Sequence, residues 1–424
     1  MNLVFYYSRQ NRYSMNAIIA AAEINKFLQD SNFFISQTKN LFKILKQCIK
    51  SEEITILCVS FFTPQLWKIK NLIGKIKRKF KQKIITIAGG PHPTGDPLGT
   101  LQMGFNFVVR GEGEKTFPAL VNMIREEEDF HKIKGIAYLD KKGQYKYNGK
   151  QEYIDLDDYP PFPLKHTNYG PIEITRGCPY MCYFCQTSFL CGSRPRHRSI
   201  GEICKYITIL KSENLTDIRF ITPNAFAYGS KDGKEINFIK VEELLKRVRE
   251  IIGAKGKIFF GSFPSEVRPE HVSEKTLGLI KKYGDNNNII IGAQSGSQRM
   301  LDICHRGHTV DDIYKAVTVS NELGIKTNID FIFGLPHETT EDIKKTLQVM
   351  KDLIKLGGRV HAHTFIPLPQ TPFENEKVTK LDKSLKKKLQ DMNYRGNLYG
   401  DWKKQEKLAL KISKYLKRNK PKTP

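Results

Sequence analysis

Three cysteines stand on one short stretch, Cys178-Pro-Tyr-Met-Cys182-Tyr-Phe-Cys185, in a C-x3-C-x2-C spacing with an aromatic residue before the third. Three thiolates on one tight loop can hold three irons of a [4Fe–4S] cube and leave the fourth iron without a protein ligand. An open iron adds little to plain electron transfer, but a substrate can chelate it. Two other uses of these residues stay open at this point. One is a structural zinc site with Cys191 as fourth ligand, although zinc loops usually pair two separated C-x2-C knuckles. The other is a set of incidental core thiols. A bacterial ferredoxin run would be C-x2-C-x2-C, which the spacing does not match. Cys191 reads as a packed thiol near the loop. Cys48, Cys58, Cys204 and Cys304 lie on apolar periodic segments and read as core residues.

The elements that must position the loop follow from the apolar pattern. From residue 166 to 375 short apolar runs alternate with helical patterns. The predicted strands are Ile172–Thr175, Asp217–Ile221, Lys257–Ser262, Asn288–Ala293, Thr327–Phe333 and Val360–Phe365. Six βα units predict an open partial (β/α)6 barrel, with chemistry at the carboxyl ends of its strands. The cysteine loop follows the first of these. Residues 1–127 alternate in the same way and predict an α/β, flavodoxin-like, doubly wound parallel sheet. Ligands of such sheets bind at the strand ends, which here carry Ser60, Gly89, Gly90 and Gly111. Glycines there let a flat ligand approach the backbone closely. Residues 128–165 hold a hairpin pattern at Gly135–Asn148 and a Pro-rich acidic stretch, Asp155–Pro163, that reads as a semi-rigid linker. Residues 376–424 form a basic extension, with helical spacing at Leu381–Met392 and Lys403–Leu416 and disorder expected over Lys417–Pro424.

The 424 residues, 40% hydrophobic, suffice for two cores and a tail. Eight cysteines are too few for a disulfide scaffold, and a thiolate cluster needs a reducing, anaerobic environment. No run approaches ~18 apolar residues, so no transmembrane segment is expected. The amino terminus lacks a basic leader pattern, and the expected location is cytoplasmic. The net charge of +25 favours an anionic partner such as RNA, an acidic lipid surface or a phosphorylated substrate. A lysine-rich solvated surface accounts for it equally well. From Glu376 onward 16 Lys and Arg face 5 Asp and Glu, so the tail carries +11 of that excess.

The whole chain except the tail resembles the cobalamin (B12)-binding-domain radical S-adenosylmethionine (SAM) enzymes. The residues that carry this are the cysteine loop, Gly89-Gly-Pro-His-Pro-Thr94, Phe107-Val-Val-Arg-Gly-Glu-Gly-Glu114 with Phe117-Pro118, and Leu156-Asp-Asp-Tyr-Pro-Pro-Phe-Pro163. A second resemblance, to the barrel of the tRNA methylthiotransferases, covers Ile291–Ser297, Arg306-Gly-His-Thr309 and Asp330-Phe-Ile-Phe-Gly-Leu-Pro-His-Glu338-Thr. Those enzymes carry three further cysteines in their first domain, where this chain has only Cys48 and Cys58. The first resemblance implies a [4Fe–4S] cluster on Cys178, Cys182 and Cys185 and reductive cleavage of SAM to a 5′-deoxyadenosyl radical. It also implies methyl transfer from cobalamin to an unactivated carbon, and an electron donor such as a ferredoxin, flavodoxin or reductase.

Further roles follow from the same resemblance. Phe184 would cover the cluster and pack near adenine. Thr222 or Asn224 would meet the SAM amino group. Ser262, Glu266 and Gln294 would reach its carboxylate or ribose, and Gly334 would let the backbone approach adenine. Ser60, Gly89, Gly90 and His92 would line the cobalamin site, although the D-x-H-x-x-G motif of a lower axial histidine is absent. No catalytic acid or base is identifiable. His361 and His363 are expected to include at most one barrel-facing side chain, with structural roles for both. Three functions compete: a cobalamin-dependent methyltransferase, a methylthiotransferase-like or other radical modification of tRNA, and a non-catalytic cluster or cobalamin sensor.

Overall fold

The structure, a computed structural model, describes residues 1–418. Its contacts divide the chain into two units, Met1–Gly170 with Leu368–Gln370, and Pro171–Pro367 with the chain from Thr371.

The first unit is built on a seven-stranded sheet. Its strands are β1 (Asn2–Tyr6), β2 (Asn32–Ser36), β3 (Thr55–Ser60), β4 (Ile85–Gly89), β5 (Phe107–Val109), β6 (Ile136–Leu139) and β7 (Tyr145–Tyr147), in the order β2-β1-β3-β4-β5-β6-β7. The first five are parallel, in the flavodoxin-like 2-1-3-4-5 order. Strands β1 and β3 are buried along their whole length, as strands covered by helices on both faces must be. Helix Leu66–Phe80 shows how the cover is made. Leu66, Ile69, Leu72, Ile73, Ile76 and Phe80 fall on one buried face, and lysines fill the other.

Two expectations need correction here. The sheet is mixed, because the 135–148 hairpin adds β6 and β7 antiparallel to its edge. A short hairpin loop cannot make the crossover a parallel strand requires. The Pro-rich stretch is not a free linker but a strap packed on the first unit. Ile154, Leu156 and Phe162 are buried. Glu112 accepts the Ile154 N–H at 2.9 Å, and Glu23 accepts the N–H groups of Leu164, Lys165 and His166. A carboxylate taking two or three backbone donors fixes such a segment without secondary structure.

In the second unit, β8 (Ile172–Glu173) leads to β9 (Thr175–Arg176), which pairs antiparallel with β10 (Arg196–His197) and closes the base of the cysteine loop. The barrel strands continue as β11 (Asp217–Ile221), β12 (Lys257–Phe259), β13 (Asn288–Gln294), β14 (Lys326–Phe333) and β15 (Arg359–Thr364). All six predicted strands form, the first and third shortened. Their ladders fall into two sheets, β12-β11-β8 and β13-β14-β15-β16, where β16 is Leu398–Tyr399. Between β12 and β13, Ile290 N–H donates to Gly261 O at 2.9 Å and Val267 N–H to Ile290 O at 2.8 Å. Strand β16 was not anticipated, since the tail was expected to be wholly helical.

The tail therefore extends the barrel wall. Helix Lys383–Tyr394 precedes β16, and helix Trp402–Arg418 follows it and buries Trp402, Ala409, Ile412 and Leu416. Lys417 and Arg418 complete that helix, and the rest of the stretch expected to be disordered, residues 419–424, lies outside the described residues. Gly400 makes the close approach possible. Its φ is +125°, and a Cβ there would collide with the carbonyl oxygen of Ala362. Gly400→Ala is expected to lift β16 from β15, costing more than about 1 kcal/mol. The thermal unfolding midpoint should fall by a few degrees; an unchanged midpoint would contradict this packing. No helix among the described residues is long and apolar enough to cross a membrane.

Candidate active site

The cysteine loop is closed by its own backbone. Cys178 N–H donates to Gly192 O at 3.0 Å, Cys185 N–H to Cys182 O at 3.0 Å, and Ser188 Oγ to Cys178 O at 2.6 Å. Gly177, at φ +92°, has its Cα against the opposite arm of the loop, where an added Cβ would lie 2.5 Å from Arg194 O. Tyr183 anchors the far side. Its N–H donates to Cys304 O at 3.1 Å, its carbonyl accepts from Phe373 N–H at 3.2 Å, and its ring stacks on His305. Cys182 is buried, and Cys178 and Cys185 are half-buried.

Burial pushes the Cys178 thiol up, against the pull of the Tyr180 backbone N–H, Arg268 and Arg306. It pushes Cys185 up to about 11, eased by Thr187. Arg306 is 5% exposed and donates from Nη1 to Cys182 Sγ at 3.5 Å. Arg268 lies over the Tyr180 ring and donates to the Arg306 carbonyl. The loop therefore gathers soft sulfur ligands with two guanidinium groups at hand to offset thiolate charge.

The donor set fits a cube better than a single ion. Thiolates on one tetrahedral zinc, bound at about 2.3 Å, would sit about 3.8 Å apart. Among the described residues, the one trio of His, Cys, Asp or Glu ligand atoms mutually within 4.8 Å does not involve these cysteines. Cys191 ends the short helix Thr187–Cys191, and its carbonyl accepts from Arg196. Cys48, Cys58, Cys204 and Cys304 are buried core thiols, as expected.

The residues expected near SAM fall into three groups. Glu266, Gln294 and Arg306 converge on Gly292. A Cβ there would lie 2.9 Å from Gln294 Nε2, 3.0 Å from Arg306 Nη2 and 3.5 Å from Glu266 Oε2. Gln294 is held there by a break in the β13 register and a left-handed φ of +69°, a conformation a non-glycine residue adopts only at a cost. Desolvation raises the Glu266 carboxyl to about 7, against the attraction of Arg306. Ser262 Oγ is buried and has no hydrogen-bond partner among the described residues, which leaves a hydroxyl to offer a polar ligand.

The second group is occupied locally. Asn224 Nδ2 lies 2.8 Å from His271 Nδ1, its Oδ1 accepts from Arg268 N–H, and Thr222 Oγ1 bonds the Asn224 backbone. Both side chains are buried and brace the loop after β11 against the one after β12. The third group lies beside other chain segments. Phe184 packs on the cluster of Met300, Cys304, Leu335, Phe365 and Phe373. Gly334, at φ +73°, has Thr379 O and Leu381 beside its Cα, and its N–H donates to Glu338 at 2.7 Å.

Glu338 carries a pH dependence. Desolvation raises its carboxyl to about 8 from an ordinary 4.5. The folded state thus binds this proton more tightly than the unfolded chain. Its contribution is complete below about pH 4.5 and is lost as pH rises toward 8, by a few kcal/mol at most. Glu338→Gln should flatten the fall in melting temperature between pH 5 and 8. A slope unchanged by the substitution would contradict the assignment.

In the first unit, the carboxyl ends of β1 and β3 are tied together. Asn11 Nδ2 donates to both Tyr6 O and Ser60 O at 2.9 Å, and Ser60 Oγ meets Ser14 Oγ at 2.8 Å. Gly90, at φ +93°, packs against Ser60, where a Cβ would lie 2.5 Å from Oγ. Gly89 has only Val109 O within 4 Å of that position, and Gly111 has nothing. These two are the open glycines that a flat ligand could approach. His92 is fully enclosed, against Phe61 and with Nδ1 3.1 Å from Thr63 Oγ1. Burial lowers its pKa to about 3. The imidazole is thus a packing group, which matches the missing axial-histidine motif.

Two features escaped the sequence reading. Arg306 was visible only as part of Arg-Gly-His-Thr, yet it touches the cysteine loop. His361 and His363 were placed on opposite faces, which is corrected here. Residues two apart on a strand share a face. Both half-buried rings lie beside Asp330, whose charge also bears on Glu266.

Residues 172–350 match the family described as the radical SAM superfamily, and residues 18–121 match the B12 binding domain. The chain therefore carries both domains of the B12-binding radical SAM architecture. An uncharacterized methyltransferase of Pyrococcus horikoshii is 27% identical over 297 residues, 66% of this chain and 61% of that protein. A tRNA-2-methylthio-N(6)-dimethylallyladenosine synthase of Buchnera aphidicola is 30% identical over 322 residues, covering 72% of this chain and 65% of the other. This chain thus spans somewhat under two thirds of these two relatives. The structure of the radical SAM methyltransferase TsrM of Kitasatospora setae superposes with a TM-score of 0.67 at 17% identity, over 88% of this chain and 76% of that one. The cobalamin-dependent SAM radical enzyme OxsB gives 0.63 at 20% identity, over 82% and 51%. At these identities the likeness establishes the fold.

Proposed function

We propose that this protein is a radical SAM enzyme that transfers a methyl group, with cobalamin, to a carbon of its substrate. Residues 1–127 would be the cobalamin-binding domain, 128–165 its hairpin and strap, 166–375 the radical core, and 376–424 a basic extension. The observation that carries this reading is the cysteine loop set beside Arg306, Glu266 and Gln294 at the carboxyl ends of barrel strands. When bound, the cluster supplies an electron for SAM cleavage and cobalamin supplies a transferable methyl group.

Cys178, Cys182 and Cys185 would hold the cluster. Arg306 offsets thiolate charge at Cys182 and keeps Glu266 from being an isolated buried carboxyl. Ser262 and Gln294 present polar atoms to the SAM carboxylate or ribose. Thr222 and Asn224 hold the loops in place, and Phe184 walls the apolar side. Gly89 and Gly111, with Ser60 and Gly90 beneath, would receive the corrinoid through backbone approach, with no imidazole ligand from the enclosed His92. The TsrM structure holds cobalamin and a [4Fe–4S] cluster and the OxsB structure aqua-cobalamin and SAM, which supports the same reading.

Methylthio transfer of the kind named for the relatives is less well supported. It would draw on a second cysteine set in the first domain. There Cys48 and Cys58 are buried core thiols, and burial pushes the Cys58 thiol far up. Cobalt and iron content after anaerobic purification from a cobalamin-supplied host tests the proposal. About four irons and one cobalt per chain are expected. Iron without cobalt, even after reconstitution with hydroxocobalamin, would overturn the methyl-transfer half.

A further inference from the structure

The half-buried face of β14 and β15 carries Asp330, His361 and His363, the one trio of His, Cys, Asp or Glu among the described residues with ligand atoms mutually within 4.8 Å. Register assembles it. Parallel pairing sets Asp330 beside His361 and Ile332 beside His363. His361 Nδ1 lies 2.9 Å from Asp330 Oδ1 and 3.1 Å from His363 Nε2, and the third side of the triangle is 4.0 Å. A point about 2.0 Å from all three atoms lies in their plane, with His363 Nε2 and Asp330 Oδ1 nearly opposite each other across it, so the set suits a nitrogen- and oxygen-bound transition metal of octahedral or square-planar rather than tetrahedral geometry.

The surroundings favour a cation there. Gln405 Oε1 accepts from Thr364 N–H at 2.8 Å, so its amide nitrogen is the atom 3.2 Å from His363 Nδ1. That amide donates, which puts the His363 proton on Nε2, aimed at His361 Nδ1. No proton then remains on His361 Nδ1 to give to Asp330. A dication at the centre would take all three lone pairs. The His363 proton would move to Nδ1, which faces the Gln405 amide nitrogen, so the Gln405 side chain would have to turn its Oε1 toward His363 to accept it. Tyr399 of β16 fixes the His361 ring by stacking at 4.4 Å and 7°. The three side chains are 16–29% exposed, so a ligand can reach them.

We propose that Asp330, His361 and His363 form a two-histidine, one-carboxylate site for a divalent first-row transition metal, separate from the cysteine loop. Such a triad leaves coordination positions open. One carboxylate against a dication leaves a net positive charge, which suits an anionic oxygen donor of the substrate. That substrate role rests on the proposed radical function; the metal site does not.

The test uses the full chain with Cys178, Cys182 and Cys185 replaced by alanine, stripped with chelator and titrated with Co2+. One saturable equivalent with ligand-field absorption is expected. His361→Ala, His363→Ala and Asp330→Asn should each weaken binding at least tenfold. Gln405→Glu should tighten it and Gln405→Leu weaken it by about tenfold, as for an outer-shell partner. Metal analysis of the cluster-loaded wild type, which does not depend on the folding of the triple-alanine chain, serves as the second measurement. It should show one metal ion besides iron and corrinoid cobalt, lost in His361→Ala while the iron and corrinoid stay. No saturable Co2+ binding by a folded chain, or binding indifferent to His361→Ala and Asp330→Asn, would overturn the proposal. Neither result depends on SAM cleavage, so this idea and the radical reading can fail separately.

Discussion

Cys182→Ala should reduce the bound iron from about four per chain to near zero and abolish SAM cleavage. In the proposed cluster each thiolate would hold one corner of the cube, and the loop's other thiol, Cys191, is set apart at the end of helix Thr187–Cys191. Cys304, on the neighbouring helix end, is a buried thiol pushed up to about 12 by desolvation and by the charge at Cys182. It packs with Met300 and Phe365 in an apolar cluster. The variant should still fold, because Cys182 contributes little packing volume compared with the aromatic anchors around it. Iron quantification together with the visible absorption of the cluster checks this. Retention of four irons and activity would show that the ligands lie elsewhere.

Arg306→Met should be nearly as severe, by a different route. Arg306 is buried, donates to Cys182 Sγ and to Gly292 O, and lies beside Glu266. Removing one partner from a buried charged network typically costs about 3–5 kcal/mol. Loss of a cation beside the thiolates should also make the cluster harder to reduce and lower its midpoint potential. Lysine should rescue poorly, because an ammonium lacks the planar fork that serves both acceptors. Thermal unfolding and a redox titration followed by electron paramagnetic resonance would check both effects. A wild-type potential and melting temperature would remove Arg306 from the site.

The two-domain organisation was legible because buried parallel strands read as continuous apolar runs, and both units are built from them. Strand β2 was hidden because Asn32-Phe-Phe-Ile-Ser36 is a half-exposed edge. Strand β16 was hidden because two residues carry no period. Its signal was Gly400, whose positive φ admits the tail against β15. The cysteine loop, whose role as a ligand set is part of the proposal, was legible from its spacing alone. Arg306 was not, because an arginine becomes a cluster neighbour only when the segment after helix Gln298–Ile303 folds back on Cys182. Asp330, His361 and His363 were legible in principle. A His-x-His pair on a strand shares one face, and the parallel register supplies the aspartate. Thr309 and Thr339, which stood out within family-like motifs, are helix N-caps completing capping boxes with Asp312 and Asp342. Their place in those motifs thus has a structural cause.

The central claim is that the loop of Cys178, Cys182 and Cys185 supports reductive cleavage of SAM. The most direct measurement is anaerobic incubation of the cluster-loaded protein with SAM and a low-potential reductant, with 5′-deoxyadenosine quantified by chromatography. The account predicts 5′-deoxyadenosine in the wild type and none in Cys182→Ala. A folded protein with four irons that binds SAM yet releases no 5′-deoxyadenosine, with or without cobalamin, would contradict it and make the protein a sensor.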